Sequence, residues 1–356
     1  MLRRRLLSVL QRYAPNTAAR VRDWLWRRDR YAEYDVRKTQ ERARFAGELD
    51  VGALPPIYVY WANRHLRPVL ESLGFSHPED FYAREIERVA QRVARPLRML
   101  SVGCGNCDTE VRIARLLRER GVQAWTLVCL DLTAPMLERG RDLAATEGFG
   151  DRFEFVAADL AEWRTDERFD VVIANQCLHH IVELERVFAR ISDVMAGDGV
   201  FLTSDMVGRN GHQRWPEAKA IVDSFWPELP KKYRYNRQLR RQENRFRDWD
   251  CSIAGFEGIR AQDILPLLVQ RFDFEFFYAF GNVVDPFIDR GFGWNFDADA
   301  EWDRDFIDRV HAADEAAIES GSIKPTHMLA TMRHRQGIVP RTWRDRTPER
   351  CVRPVA

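Results

Sequence analysis

The sequence predicts an α/β chain built on a doubly wound parallel sheet, on two observations. Between residues 97 and 205, short apolar runs alternate with helical patterns five times. Each run also stops on a glycine or a short polar residue, where a sheet of this kind carries its ligands.

The elements follow in order. Residues 97–102 form an apolar run that ends in Gly103-Cys104-Gly105, and a helical pattern runs from there through Val111, Ala114 and Leu117 to Gly121. Residues 124–130 form the second strand, ending at Asp131. The helix at 135–147 has proline in its first turn, where the missing N–H costs nothing. The third strand, 153–157, ends near Asp159, and the fourth, 169–174, ends at Asn175. A helix at 184–195 stops at Gly197-Asp198-Gly199, and the fifth strand, 200–204, ends at Asp205. Then the pattern breaks. Residues 206–258 are polar, aromatic and basic without β alternation. A helix at 264–269, an aromatic strand at 272–280, a charged helical stretch at 285–322 and a last strand at 326–332 complete the reading. Residues 1–95 read as a helical N-terminal cap region, 96–335 as the main domain with insertions at about 206–258 and 285–322, and 336–356 as a surface tail.

The chain has 356 residues, 45% of them hydrophobic and 31% charged, with a net charge of +1, so it can bury a large core and carries no global bias toward nucleic acid. Its six cysteines, Cys104, Cys107, Cys129, Cys177, Cys251 and Cys351, are scattered, which fits a reducing cytoplasm rather than a disulfide framework. Cys104 and Cys107 make one CxxC pair with no second pair and no nearby histidine, so no metal centre is expected. Arg3, Arg4 and Arg5 stand opposite Leu2, Leu6, Val9, Leu10 and Tyr13 on a helical face. The first expectation for residues 1–13 is packing on the body; the second is weak contact with a membrane surface. No stretch approaches the roughly 18 apolar residues needed to span a bilayer. Nothing in the pattern specifies an oligomeric state.

The chemistry-bearing residues lie at successive strand ends. Gly103 and Gly105 lack a Cβ, so the chain turns sharply and a ligand can approach the backbone around Cys104. Asp131 offers two acceptor oxygens to a ribose diol. Asp159 can accept from an exocyclic amine, and Leu132 and Leu160 offer apolar contact to sugar and base. Asn175 closes the ordered set. The rival is a dinucleotide site, whose fingerprint is GxGxxG; its sixth position here is Asp108, which would repel a pyrophosphate at the helix N-terminus. A cationic ligand without phosphate tolerates that aspartate.

Four segments, Ser101-Val102-Gly103-Cys104-Gly105-Asn106, Asp131 with Met136-Leu137, Ala158-Asp159-Leu160, and Asn175-Gln176-Cys177-Leu178-His179-His180, together resemble the class I S-adenosylmethionine-dependent methyltransferases. The resemblance covers about 97–335. It implies a Rossmann-like, seven-stranded sheet with a terminal antiparallel hairpin whose last strand inserts beside strand five, and S-adenosyl-L-methionine as the cofactor. Two positions depart from the family: Ser101 stands where an acidic residue is common, and Cys107 where a third glycine is common. The first weakens one expected contact to the donor's amino group.

An oxygen acceptor usually needs a base. The candidates are His180, past strand four, and His212, in the loop Arg209-Asn210-Gly211-His212-Gln213-Arg214-Trp215 after strand five. Arg209, Arg214, Trp215, Tyr233 and Tyr235 are candidate acceptor-binding residues, with Trp61 and Trp294 as further lining. A small-molecule acceptor is expected: a sugar, a phenolic or a lipid-linked metabolite. Two alternatives stand beside it. One is methylation of RNA or DNA through the basic aromatic stretch 231–249, which lacks the Pro-Pro-aromatic run after Asn175 that base-amine chemistry uses. The other is a non-catalytic donor-binding subunit.

Overall fold

The computed structural model describes residues 54–354. The basic N-terminal stretch and its proposed membrane contact lie outside them. Among the described residues, no helix is long and apolar enough to cross a membrane.

The described chain begins with helices α1 (Pro56–Trp61), α2 (Arg67–Ser72) and α3 (Pro78–Ala90), with a π-turn at Ala62–Leu66. The alternating core follows: β1 (Leu97–Val102), α4 (Asp108–Glu119), β2 (Trp125–Asp131), α5 (Ala134–Thr146), β3 (Phe153–Ala157), β4 (Phe169–Asn175), α6 (Leu184–Val194) and β5 (Met195–Met206). Then come α7 (Pro216–Phe225), a two-residue ribbon of β6 (Tyr235–Asn236) and β7 (Arg241–Gln242), and α8 (Ala261–Arg271). The chain closes with β8 (Asp273–Phe280), α9 (Asp285–Ile288), α10 (Glu301–Glu319), β9 (His327–Arg333), β10 (Arg341–Thr342) and α11 (Pro348–Cys351).

The sheet order is β10-β8-β9-β5-β4-β1-β2-β3. β1 to β5 are mutually parallel, and β9 runs antiparallel to both β5 and β8. The expected terminal hairpin is therefore present, with its last strand inserted beside β5. The order reverses between β1 and β4, so the ligand crevice opens at their carboxyl ends.

Alternation along β1 sorts its side chains onto two faces. Leu100 and Val102 join α6 and α8 in one apolar layer through Val187, Phe188, Ile191, Ile264 and Leu268. Leu97 and Met99 face α3, α4 and α5 through Phe81, Ile86, Val111, Leu117 and Leu137. A third apolar cluster lies off the sheet and joins α1, α7, α9 and α10 through Ile57, Trp61, Val222, Trp226, Phe287, Phe306 and Val310. The N-terminal helices thus divide: α3 covers the sheet, whereas α1 builds the off-sheet cluster.

Three details differ from the sequence reading. The sheet has eight strands, not seven: Arg341–Thr342 pairs with Phe276 and Phe277 at the edge. A two-residue strand carries no readable periodicity. The segment beyond 336 is also tied down rather than trailing. Arg341 donates to the Leu73 carbonyl at 2.7 Å, and Arg346, 7% exposed, forms a forked pair with Glu315. Gly197-Asp198-Gly199 does not end the preceding helix before a fresh strand. Met195 already pairs with Phe169, and the register jumps from there to Val200 opposite Val171, so the glycines form an irregular bulge inside one long strand.

Candidate functional site

At the end of β1 the chain turns through Gly103 (φ +64°) and Gly105 (φ +56°). Both angles lie in the left-handed region, where a side chain costs energy. Gly103 also has no room for one: a Cβ would sit 2.6 Å from the Cys177 Cβ, because the loop after β4 closes against the turn. The Cys177 thiol donates to the Val102 carbonyl at 3.1 Å.

Asp131 braces this turn. One carboxylate oxygen accepts from the Gly105 N–H at 2.9 Å and the other from the Thr133 N–H at 2.8 Å. Burial raises the Asp131 carboxyl; hydrogen bonds from the Gly105 and Thr133 amides and from the Thr133 side chain, and then the His180 imidazole, oppose that rise. A carboxylate offers about four acceptor sites, so capacity remains for a ligand hydroxyl. Asp159 accepts from the Ala161 N–H at 3.0 Å, which sets the turn after β3. Asn175 accepts from the Tyr82 hydroxyl at 3.0 Å and donates to Thr109 at 3.2 Å, tying α3 and α4 to the end of β4. Leu132 is half-buried at the crevice edge, whereas Leu160 is buried in the sheet-face layer, so Leu160 serves packing there.

The residues present fit a cationic, phosphate-free nucleoside ligand. Gly103 is exposed and its turn carries no side chain across it, carboxylates stand at the ends of β2 and β3, and Asp108 opens α4 where a phosphate would have to sit. The acidic position that Ser101 leaves vacant has a substitute in space. Ser101, fully buried, donates to Glu110 on α4 at 2.7 Å, and Glu110 is only 2% exposed. Burial pushes the Glu110 carboxyl up to about 8, with only the Ser101 bond among its side-chain contacts opposing it. Its unfolded value is near 4.5, so the folded chain holds the extra proton between those limits. Stability from this group is full below about 4.5 and falls as pH rises through about 8. Glu110→Gln keeps the neutral hydrogen-bonding shape. It should raise Tm at pH 8 by a few °C and flatten the fall in Tm between pH 6 and 8. Parallel Tm profiles for the two proteins would show that Glu110 is ionised.

Beyond the glycine turn lies a cluster only partly legible in the sequence. Asp205, at the end of β5 and 0% exposed, accepts from the Cys177 N–H (3.0 Å), the Leu178 N–H (2.7 Å) and His179 Nδ1 (2.6 Å). His179 Nε2 lies 3.5 Å from Glu257, and His212 Nε2 lies 2.9 Å from the same carboxylate oxygen. His180 Nε2 is 3.9 Å from the other oxygen. Burial lowers His179, but the Asp205 carboxylate and then Glu257 outweigh it and lift its imidazole to about 10. Burial raises Glu257, but hydrogen bonds from His179 and His212 hold it well below the usual carboxylate range. His212 itself is lowered, chiefly by burial, so it is neutral near pH 7. With Glu257 ionised, His212 Nε2 carries the proton and Nδ1 keeps the lone pair; this tautomer is assigned from the hydrogen bond.

The local backbone explains this meeting. Gly211 (φ +67°) and His212 (φ +51°) turn sharply, and a Cβ on Gly211 would collide with the Asp250 carboxylate. The Gly211 N–H donates to the Gly258 carbonyl at 2.8 Å and the Ile259 N–H to the His179 carbonyl at 3.0 Å. The 250–259 segment thus clamps both histidine loops and delivers Glu257 between them. Glu257 went unnoticed in the sequence, and His179 and Asp205, though visible at strand ends, were given no role there. The usable signal was the pair of glycines, Gly255 and Gly258, bracketing Phe256-Glu257.

The proposed acceptor residues are placed unevenly. Arg214 is 8% exposed and holds the loop together: it bonds Asp285 at 3.2 Å and the His212 carbonyl at 2.6 Å. Arg209 donates to the Arg214 carbonyl at 2.9 Å. Trp215 is half-buried, with the Arg353 guanidinium 5.0 Å above its ring. Tyr233 is buried against Phe296 and Trp302 and donates to Asp303, so it packs the off-sheet cluster instead of facing an acceptor. Trp61, 1% exposed and donating to His311, does the same. Tyr235 and Trp294 are exposed. The basic aromatic stretch does not present a continuous stacking face, because Tyr233 and Phe246 point into packing and Arg234 is spent on the carbonyls of Leu229 and Pro227.

Two groups among the described residues could hold a metal: the thiols of Cys104, Cys107 and Cys129, and the set His179, His212 and Glu257. The second suits a small divalent cation in ligand type, with Asp205 behind His179. Its members already satisfy one another by hydrogen bonds.

Residues 95–250 match the model of the methyltransferase domain family. The matched segment contains the glycine turn and the carboxylates Asp131 and Asp159 described above. Among curated proteins, the chain is similar to a trans-aconitate 2-methyltransferase of Acidovorax sp. (strain JS42), at 28% identity over 162 residues, covering 45% of this chain and 52% of that one. It is also similar to a sterol 24-C-methyltransferase of Yarrowia lipolytica, at 31% identity over 106 residues, covering 30% of this chain and 26% of that one. The chain thus spans about half the length of the first relative and less of the second. Among solved structures it resembles the [4+2]-cyclase SpnF, with 19% identity, a TM-score of 0.41, and coverage of 72% of this chain and 81% of that one.

Proposed function

We propose that the chain transfers the methyl group of S-adenosyl-L-methionine to an oxygen of a small-molecule acceptor, with His212 as the base and Glu257 as its positioning carboxylate. The observation that carries this reading is the hydrogen bond between His212 Nε2 and the Glu257 carboxylate at 2.9 Å.

The donor supplies an electrophilic methyl group on a sulfonium, which needs little further activation. The chain's own work is to place and deprotonate. Asp131 and the Gly103–Gly105 turn hold the nucleoside end, and Asn175, fixed by Tyr82 and Thr109, keeps the β4 edge rigid. His212 Nδ1 takes the acceptor's proton as the oxygen becomes nucleophilic. The resulting imidazolium is stabilised by Glu257, as the carboxylate of a hydrolase triad stabilises its histidine. His179, charged between Asp205 and Glu257, fixes the orientation of Glu257. The acceptors named for the two curated relatives are small molecules, and the buried aromatics of 231–249 favour that class over nucleic acid. Sugar, phenolic and lipid-linked hydroxyls are the candidates.

The test is transfer of a labelled methyl group from the donor to panels of these three hydroxyl classes and to RNA and DNA. Label is expected in a hydroxyl compound and absent from nucleic acid. Turnover should survive EDTA, because the base reading needs no metal. Label in nucleic acid, or EDTA-sensitive transfer restored by a divalent cation, would overturn it.

A further inference from the structure

The glycine turn carries a feature that the methyl-transfer chemistry does not use. The thiols of Cys104, Cys107 and Cys129 lie within 4.8 Å of one another. Cys104 and Cys107 are the ends of a tight turn, closed by the Cys107 N–H donating to the Cys104 carbonyl at 2.9 Å. Such an i, i+3 turn brings its end Cα atoms within about 7 Å, inside the reach of a disulfide at roughly 4.4–6.8 Å. Cys107 occupies the N-cap of α4 with φ +59°, where a glycine would be less strained. Its thiol also has a prepared space. Gly140 on α5 stands against it, and a Cβ there would come 2.9 Å from the Cys107 sulfur.

We propose that Cys104 and Cys107 are an oxidation site for peroxide, closing to a disulfide that distorts the donor turn and weakens donor binding. The linked pair is Cys104–Cys107, not a pair with Cys129, for a mechanical reason. Cys129 is held in β2, hydrogen-bonded to strands on both sides, and 0% exposed. The 103–107 turn contains three residues at positive φ and belongs to no strand. Cys104 is the more exposed of the three.

The chemistry balances with a peroxide as oxidant. The Cys104 sulfur attacks a peroxide oxygen while its thiol proton passes to the departing oxygen. The O–O bond breaks, giving Cys104 sulfenic acid and water. The Cys107 sulfur then displaces the sulfenic oxygen, which leaves as water. Two electrons pass from the two thiols to one peroxide. Drawing the sulfurs to about 2.05 Å must move the segment between them. That segment contains Gly105, whose N–H holds Asp131 at 2.9 Å. The affinity consequence rests on the donor-site reading; the bond itself does not.

The test takes the full chain, reduced, then treated with hydrogen peroxide. Peptide mapping should find a loss of two hydrogens and a Cys104–Cys107 link, while Cys129, Cys177 and Cys351 remain alkylatable after unfolding. Calorimetry should show donor affinity falling at least tenfold and recovering with dithiothreitol. Cys107→Ser should form no link, and its donor affinity, whatever its starting value, should not respond to peroxide. Cys129→Ala should still form the link. Free Cys104 and Cys107 after peroxide, a link to Cys129 instead, or a link that leaves affinity unchanged would each overturn the proposal. If the reduced chain binds no donor at all, the donor reading fails while the mapping still decides the thiol chemistry.

Discussion

Asp131→Ala should abolish donor binding. The carboxylate does two jobs at once: it can receive the ribose hydroxyls, and it already holds the Gly105 and Thr133 amides at 2.9 and 2.8 Å. Hydrogen bonds to a charged group contribute about 1.5–3 kcal/mol each, so losing two ligand contacts corresponds to roughly a hundredfold or more in affinity. Freeing the Gly105 N–H loosens the turn and adds to the loss. Calorimetric titration with S-adenosyl-L-methionine should therefore show no measurable heat of binding at concentrations that saturate the parent chain. Asp131→Asn keeps one acceptor oxygen and should retain part of the affinity. Micromolar binding by Asp131→Ala would remove this residue from the donor site.

His212→Ala should lower kcat by roughly 10²- to 10⁴-fold, the usual contribution of a positioned base, while donor affinity stays within about twofold. The separation is expected because His212 touches Glu257 and the 250–259 clamp, not the glycine turn. Glu257→Gln removes the carboxylate that fixes the His212 tautomer, and it should cost kcat without changing donor affinity. It should also leave His179 paired only with Asp205. An unchanged kcat in His212→Ala would take the histidine out of the mechanism. A parallel loss of donor binding would recast it as a structural residue.

The proposed donor half of the site was legible because its information is local. Gly103, Gly105, Asp131, Asp159 and Asn175 each terminate a strand whose apolar run can be read directly, and sheet topology brings strand ends together without further instruction. The β8 and β9 strands were legible as runs in the sequence, but their pairing beside β5 came from the family resemblance. The proposed acceptor half was legible only where it too followed a strand, as His180 and His212 do. Glu257 sits in an irregular segment with no periodicity and reaches His212 and His179 across 45 and 78 positions. Asp205 was visible as a strand end, but its service to His179 was not. The aromatic residues misled for a related reason: Tyr233 and Trp61 look like lining in a polar stretch, yet long-range partners, Asp303 and His311, draw them into packing. The thiol cluster needs the register of β2 against the turn, which no spacing within the CxxC pair discloses.

The most direct test of the central claim is calorimetric titration of the intact chain with S-adenosyl-L-methionine, its demethylated product and NAD, in parallel. The account predicts one donor site per chain with micromolar or tighter affinity, comparable binding of the product, and no binding of NAD because Asp108 opens the helix where a pyrophosphate would lie. Binding of NAD without binding of the methyl donor would contradict it.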